Sequence, residues 1–403
     1  MVSVASYEEQ LKKLKRNVVD LVTEEELLEK LKENRPLRVK LGVDPSRPDL
    51  HLGHLVVLKK LREFQDMGHT VILIIGDFTA RIGDPSGRSQ IRPMLSAEEV
   101  RENAKTYSEQ AFKVLDKEKT ELRYNSEWLE ALNFEDVIRL TAKFTVARML
   151  EREDFSKRLE AGEPLSISEL LYPIAQAYDS VMIKADVELG GTDQLFNLLV
   201  GRKLQQDYGQ KPQIVMTMPL IEGTDGHLKM SKSYDNYIAF NDPPDQMYGK
   251  LMSIPDELIL KYMRLLTDIS DEEIEEYGIK MEGKEINPRD VKMRLAWEVV
   301  SFFYNESEAE RAQENFIRVF REKKLPQEME EIVVNDTKKS IVDLLFENKI
   351  VQSKSEAKRL IVQGGVKIDE EKITDPFVEV EIRNDMVLQI GKRRFFKIKK
   401  NFG

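Results

Sequence analysis

Apolar and polar positions follow one rhythm up to about residue 243 and another beyond it. In the first part, short apolar runs alternate with helical spacing. Residues 38–43 read as a strand, a helix pattern follows over 52–67, and 71–75 form an all-apolar, mostly β-branched run of the kind buried in a parallel sheet. Ser96 with Glu99 makes a capping box that starts another helix. Residues 122–125 read as a third strand, 133–183 as a long helical stretch, and 187–189 and 214–218 as two more strands. The alternation predicts a doubly wound parallel-sheet α/β domain, Rossmann-like, over 1–234. Ligands of such sheets bind at the carboxyl ends of the strands, where the connections switch sides.

Beyond 243 only helical spacing remains, as in 256–266 and 291–304, which predicts an all-α domain over 235–325. The polar stretch up to Asp336 reads as a linker, 326–336. The remainder, 337–403, combines helical segments with a strand-rich end and predicts a small α+β domain.

A chain of 403 residues is too long for one ordinary core, which agrees with two or three domains. Hydrophobic residues at 41% and charged residues at 33% fit a soluble globular protein. No apolar run approaches the ~20 residues of a membrane span. The first residues lack a signal-peptide core, so a cytoplasmic protein with no membrane partner is expected. The lack of cysteine excludes disulfides, thiolate chemistry and cysteine-ligated zinc. With only four histidines and no carboxylate cluster, no dedicated metal site is expected. A net charge of −10 argues against indiscriminate coating of nucleic acid. The charge is unevenly spread, however: residues 336–403 hold 15 Lys and Arg against 11 Asp and Glu, a net +4, so the rest carries −14. A basic tail on an acidic body suggests one end that meets a polyanion.

Two motifs carry candidate chemistry. The first, ending in His51, Leu52, Gly53 and His54, follows a strand and opens a helix, whose free N–H groups and positive dipole end favour phosphate. Both histidines can reach a triphosphate, and Gly53 lets a nucleotide approach the backbone. Taken alone, the motif is also an ordinary proline-containing turn. The second, Lys229, Met230, Ser231, Lys232 and Ser233, lies on a loop after a strand, where two lysines can neutralise a leaving pyrophosphate. Taken alone, it is also an ordinary solvated basic loop. A third constellation is Tyr172, Gln176 and Asp179, spaced four and three apart and so sharing one helix face. Such a stripe is by default a solvated face, but Gly190, Gly191, Asp193 and Gln194 at the next strand–helix junction suggest a site.

In this combination and order the chain resembles the class I aminoacyl-tRNA synthetases over essentially its whole length. His51–His54 looks like their HIGH signature, and Lys229–Ser233 matches KMSKS letter for letter. Tyr172, Gln176 and Asp179, followed by Gly190–Gln194, and the turn Gly83, Asp84, Pro85, Ser86 and Gly87 are similar to the tyrosyl-tRNA synthetases of bacteria. The resemblance implies ATP, with Mg2+, and L-tyrosine as substrates and tRNA(Tyr) as acceptor. It implies catalytic roles for His51, His54, Lys229 and Lys232. Gly53, Gly191, Asp193, Gln194, Met230, Ser231 and Ser233 would bind ATP, with Arg88 and Arg92 near the pyrophosphate. Asp84, Tyr172 and Gln176 would hold the substrate ammonium, Asp179 the phenol, and Gly42 and Asp44 the pocket floor. Lys354, Lys358 and Arg359 of the tail would contact tRNA phosphates, the helical domain would approach the anticodon, and an inserted segment around 125–165 would form a homodimer. A site that buries a hydrogen-bonding group rejects phenylalanine because that group is left unpaired, and tyrosyl-tRNA synthetases are the standard worked example of it.

Two positions depart from the best-known bacterial pattern. Lys40 stands where that pattern has a tyrosine whose hydroxyl helps read the phenol, and Glu188 where it has a glutamine. Three rival readings are a tryptophanyl-tRNA synthetase, a small-molecule nucleotidylyltransferase and a non-catalytic RNA-binding protein on a synthetase scaffold.

Overall fold

The structure, a computed structural model, describes residues 6–45, 49–85, 96–320, 329–391 and 394–400. Two compact units divide the chain: Met1–Asp242 with Ile254–Val291, and Pro243–Ser253 with Lys292–Gly403.

The first unit is mixed α/β and is built on a six-stranded sheet of order β1-β6-β5-β2-β3-β4. Its strands are β1 (Asp20–Val22), β2 (Arg38–Val43), β3 (Thr70–Ile75), β4 (Thr120–Tyr124), β5 (Val187–Gly191) and β6 (Ile214–Met218). All neighbours are parallel except β1, an antiparallel edge strand too short to show in the apolar pattern. Every residue of β6 and all but the first of β3 are buried, as a sheet covered on both faces requires. From β2 the chain moves outward through β3 and β4. It then crosses back to β5 and continues to β6 on the other side. The connections therefore reverse between β2 and β5, and the site opens at the carboxyl ends of these two strands. Register places Lys40 of β2 directly beside Glu188 of β5.

The stretch 133–183 is not one helix but four: Phe134–Thr141, Val146–Met149, Glu153–Glu160 and Ile167–Ile183. The reason is local. Thr145 caps a new start by accepting from the Arg148 amide, and Gly162 takes φ +69°. Ser166 and Glu169 form a capping box at the last start. Helices Ile259–Leu266 and Asp271–Glu282 belong to this first unit, so its limit does not coincide with residue 234. Lys261 pairs with Glu222 at 2.8 Å, the buried Tyr262 donates its hydroxyl to the Glu222 carbonyl, and Arg16 pairs with Asp271 at 2.9 Å.

In the second unit the helices Pro244–Leu251 and Glu306–Phe320 pack together, and the buried Tyr248 donates to Gln313 Oε1 at 3.2 Å. The tail holds β7 (Glu330–Val334), β8 (Lys338–Ser340), β9 (Val366–Ile368), β10 (Glu371–Ile373), β11 (Glu379–Glu381), β12 (Met386–Ile390) and β13 (Arg394–Lys400). Five of them form a sheet of order β10-β9-β12-β13-β7, and β11 pairs with β8. Ile341, Leu344, Leu345, Ala357, Ile361, Leu388 and Ile398 lie in its core. Residues 330–334, expected in the linker, instead run parallel to β13, with Ile332 opposite Ile398. Among the described residues no helix is long and apolar enough to cross a membrane.

Candidate active site

A cavity of about 660 Å³ opens at the carboxyl ends of β2 and β5. It gathers residues that the sequence had suggested from three separate segments: His51, Gly53 and His54; Tyr172, Gln176 and Asp179; and Lys229, Met230, Ser231 and Ser233. Gly42, Asp44, Asp84, Gly191, Asp193 and Gln194 line it as well. Lys232 does not; its ammonium lies 5.5 Å from the ring centroid of Tyr107, which does. Arg88, Arg92 and Gly87 lie outside the described residues.

His51 is the N-cap of the helix Leu52–Asp66. Its Nδ1 accepts the Gly53 amide at 3.2 Å, and His54 Nδ1 accepts the His51 amide at 3.2 Å. Burial pushes the His54 imidazole down to about 4, with the Lys232 charge adding to it, and holds His51 well below its usual range. Both rings are therefore neutral at physiological pH. With each Nδ1 accepting, each carries its proton on Nε2 as a donor. The pair offers directed N–H groups rather than positive charge. At Gly53 a Cβ would sit 2.9 Å from the His51 ring, so a side chain there would push that ring out of its place.

The loop after β6 presents the positive charge. Lys229 Nζ is 3.1 Å from Asp193 Oδ2. The loop is held by a residue that the sequence analysis missed, Asn236. Its Oδ1 accepts the Ser231 amide at 2.8 Å, while its Nδ2 donates to Asp225 at 2.9 Å and to the Lys229 carbonyl at 3.2 Å. A Cβ at Gly223 would stand 2.4 Å from the Asn236 carbonyl oxygen, which leaves glycine as the residue that fits.

The polar stripe of the helix Ile167–Ile183 forms the opposite wall. The Tyr172 hydroxyl donates to Asp44 Oδ2 at 2.9 Å, and Thr79 Oγ1 donates to Asp44 Oδ1 at 2.8 Å. Burial, reinforced by Asp44 and Asp84, keeps the Tyr172 phenol protonated. Deeper in, Asp179 accepts from Trp128 Nε1 at 2.8 Å and from Asn125 Nδ2 at 3.4 Å. Burial raises its carboxyl to about 6, against the pull of Lys40 and of these two donors. Asn125 and Trp128 were not singled out from the sequence; the visible signal was a tryptophan, one of two in the chain, just after β4. Gln194 donates to Asp84 Oδ2 at 2.8 Å, and Asn197 Nδ2 donates to Gln176 Oε1 and Gln194 Oε1 at 3.1 and 3.0 Å.

Lys40 does not reach the cavity. It is fully buried, paired with Glu188 Oε1 at 2.9 Å, and donates to the Gln176 carbonyl at 3.0 Å and Ser180 Oγ at 2.8 Å. Both departures from the familiar pattern are thus one buried ion pair. Among the described residues no group of three or more His, Asp or Glu could hold a metal ion. In the second unit, Lys354, Lys358 and Arg359 are exposed on the helix Lys354–Val362, whose Ala357 and Ile361 face the core. Lys358 Nζ lies 5.8 Å from the ring centroid of the exposed Phe377, and Lys354 pairs with Asp343 at 2.7 Å.

Residues 32–321 match the family model of tRNA synthetases class I (W and Y), and 321–398 match that of the tyrosine–tRNA ligase SYY-like C-terminal domain. The tyrosine–tRNA ligase of Thermotoga maritima is 68% identical over 97% of both chains. That of Aquifex aeolicus is 54% identical over 97% of this chain and 98% of the relative. A tyrosyl-tRNA synthetase from Archaeoglobus fulgidus, solved with L-tyrosine, superposes with a TM-score of 0.63 at 23% identity, covering 76% of this chain and all of that one, a likeness of fold. With one family spanning the cavity, a second spanning the tail and relatives aligned nearly end to end, the chain belongs to the bacterial tyrosine–tRNA ligases of the class I tRNA synthetases.

Proposed function

We propose that the chain activates L-tyrosine with ATP and transfers it to the 3′ end of tRNA(Tyr). The observation that supports this best is the convergence of the Tyr172, Gln176 and Asp179 stripe with the His51–His54 turn and the Lys229–Ser233 loop around one cavity. The tyrosine carboxylate attacks the α-phosphorus of ATP. A new P–O bond forms, the bond to the β-phosphate breaks, and pyrophosphate leaves with the electron pair. A ribose hydroxyl of tRNA then attacks the acyl carbon of the adenylate, releasing AMP and a proton. No protein nucleophile is needed, so catalysis is positioning plus charge stabilisation.

His51 and His54 donate through Nε2 to phosphate oxygens as charge develops, and Lys229 and Lys232 neutralise the departing pyrophosphate. Gly53, Met230, Ser231 and Ser233 line the nucleotide's path. Gly191 and Asp193 take the ribose, and Gln194 lies near the carboxylate and α-phosphate. ATP brings its Mg2+ as part of the substrate, with no protein ligand assigned to it. Asp84, Tyr172 and Gln176 hold the ammonium, Asp179 accepts the phenol hydrogen, and Gly42 and Asp44 form the floor.

The finer organisation belongs to the same proposal. The first unit carries a doubly wound catalytic domain, 235–325 faces the anticodon, and 337–403 contacts tRNA through Lys354, Lys358 and Arg359. The homodimer forms through 125–165, where Phe134, Ile138, Val146 and Leu159 are exposed apolar residues. The enzyme works in the cytoplasm. The tryptophan rival has no support from the relatives cited above, which are all tyrosine enzymes. Pyrophosphate exchange with each amino acid in turn tests the reading. Exchange with tyrosine alone is expected, and exchange with tryptophan, or with no amino acid, would overturn it.

A further inference from the structure

The Lys40–Glu188 pair has no role in the chemistry above, yet it is fully buried, and burying two charges is costly unless both are completely hydrogen-bonded. Here they are. The ammonium has three donors and three acceptors: Glu188 Oε1, Ser180 Oγ and the Gln176 carbonyl. The carboxylate accepts four contacts. Lys40 and the Gln176 side-chain amide reach Oε1, the latter at 3.2 Å; Ser180 Oγ at 3.0 Å and Gln213 Nε2 reach Oε2. Space is kept for this network at Gly201, where a Cβ would stand 2.7 Å from Gln213 Nε2 and 3.2 Å from Glu188 Oε2.

The chemical consequence falls on Gln176. An amide can face a neighbour with either its oxygen or its nitrogen, but a carboxylate only accepts. Glu188 therefore dictates that Gln176 turns its NH2 inward, which puts Oε1 on the other side. That oxygen accepts from Asn197 and has a second lone pair. A neutral glutamine at 188 would impose no such choice. The far end of the chain is polarised the same way, since Arg152 donates to Asn197 Oδ1 at 3.2 Å. The two amides in series thus run from a cation that donates, Arg152, to an anion that accepts, Glu188.

We propose that the buried Lys40–Glu188 pair is a positioning device for tyrosine recognition: it locks the Gln176 amide with its carbonyl oxygen toward the substrate ammonium. This rests on the ammonium-binding role proposed above for Gln176. Lys40 balances the charge that Glu188 needs for the lock. The phenol is then read by Asp179 without the second hydroxyl of the familiar pattern.

The test compares two ligands by calorimetry on the full-length protein: L-tyrosine, and 3-(4-hydroxyphenyl)propionate, which has the phenol and carboxylate but no ammonium. In Glu188→Gln, the ratio of their dissociation constants is expected to shift against tyrosine by roughly tenfold, with the propionate itself changing by less than about twofold. The double variant Lys40→Met with Glu188→Gln removes the stranded cation. It is expected to regain thermal stability while keeping the shifted ratio. Equal weakening of both ligands in Glu188→Gln, or a ratio that returns to wild type together with stability in the double variant, would overturn the lock. Wild-type pyrophosphate exchange is the control. Exchange with tyrosine alongside an unshifted ratio removes the lock alone, whereas no exchange removes the functional reading and the lock with it.

Discussion

In the proposed reading, the amino-acid wall and the nucleotide wall of the cavity recognise their ligands by different physics. On the amino-acid wall nearly every polar group is already committed before a substrate arrives. Tyr172 is tied to Asp44, Asp179 to Trp128 and Asn125, and Gln176 to Glu188 and Asn197. On the nucleotide wall the groups are few and simple: two neutral imidazoles and a loop whose Lys229 is paired with Asp193 while 38% of its side-chain surface remains exposed. Selecting a phenol over a phenyl ring needs fixed partners that suffer if left unmatched. Stabilising a leaving pyrophosphate needs charge delivered where it develops. Damage to the two walls should therefore appear in different kinetic constants.

The largest effect is expected on the loop. Lys229→Ala and Lys232→Ala should each slow adenylate formation by roughly 10²–10³-fold while the tyrosine dissociation constant moves less than about threefold. Single-turnover kinetics with equilibrium binding of tyrosine would show the separation. Equal losses in both would place the loop in ground-state binding and end the contrast. Next comes Asp179→Asn, which should cost about 10²-fold in kcat/KM for tyrosine and much less for phenylalanine, because only tyrosine loses its acceptor. A parallel fall for both amino acids would mean that the residue shapes the wall instead of reading the hydroxyl.

A smaller effect, with a definite sign, follows from pH. The Asp179 carboxyl is raised to about 6 by burial, and in its proposed role it must be ionised to accept the phenol hydrogen. Lowering pH through this value protonates the acceptor, so kcat/KM for tyrosine should fall on the acid side and hold steady above it. At pH 5 the loss should be about tenfold. Neither histidine adds a step near neutral pH, since His54 lies at about 4 and His51 well below its usual range. Asp179→Asn should abolish this acid limb; a limb that survives belongs to another group.

The contrast also explains what was legible in the sequence. Each of the two motifs on the nucleotide wall is built from residues close together in the chain, and the parallel strands behind it are apolar runs with one reading. The amino-acid wall showed its helical stripe, because four-and-three spacing is local, but not the groups that orient it. Asn125, Trp128, Arg152 and Asn197 are ordinary residues until folding brings them to Asp179 and Gln176. Lys40 and Glu188 showed in the sequence as two separate oddities. Only the β2–β5 register makes them one pair. The breaks within 133–183 and the strand β7 were hidden for a related reason: caps such as Thr145 and Ser166 interrupt an unchanged apolar rhythm, and Ile332 finds its partner, Ile398, far along the chain.

The smallest effect tests whether the loop's shape matters apart from its charge. The Asn236 side chain ties together Asp225, the Lys229 carbonyl and the Ser231 amide. Asn236→Ala leaves both lysines in place but releases the Ser231 amide and the Lys229 carbonyl from their partner. If the loop works as positioned charge, the variant should slow adenylate formation by about three- to tenfold, a fraction of the lysine effect, with tyrosine affinity unchanged. If charge alone suffices, the rate should match wild type, since Lys229 and Lys232 remain. A loss as large as that of Lys229→Ala would instead make the geometry of this turn as important as its charge, and the nucleotide wall would then be as preorganised as the wall facing it.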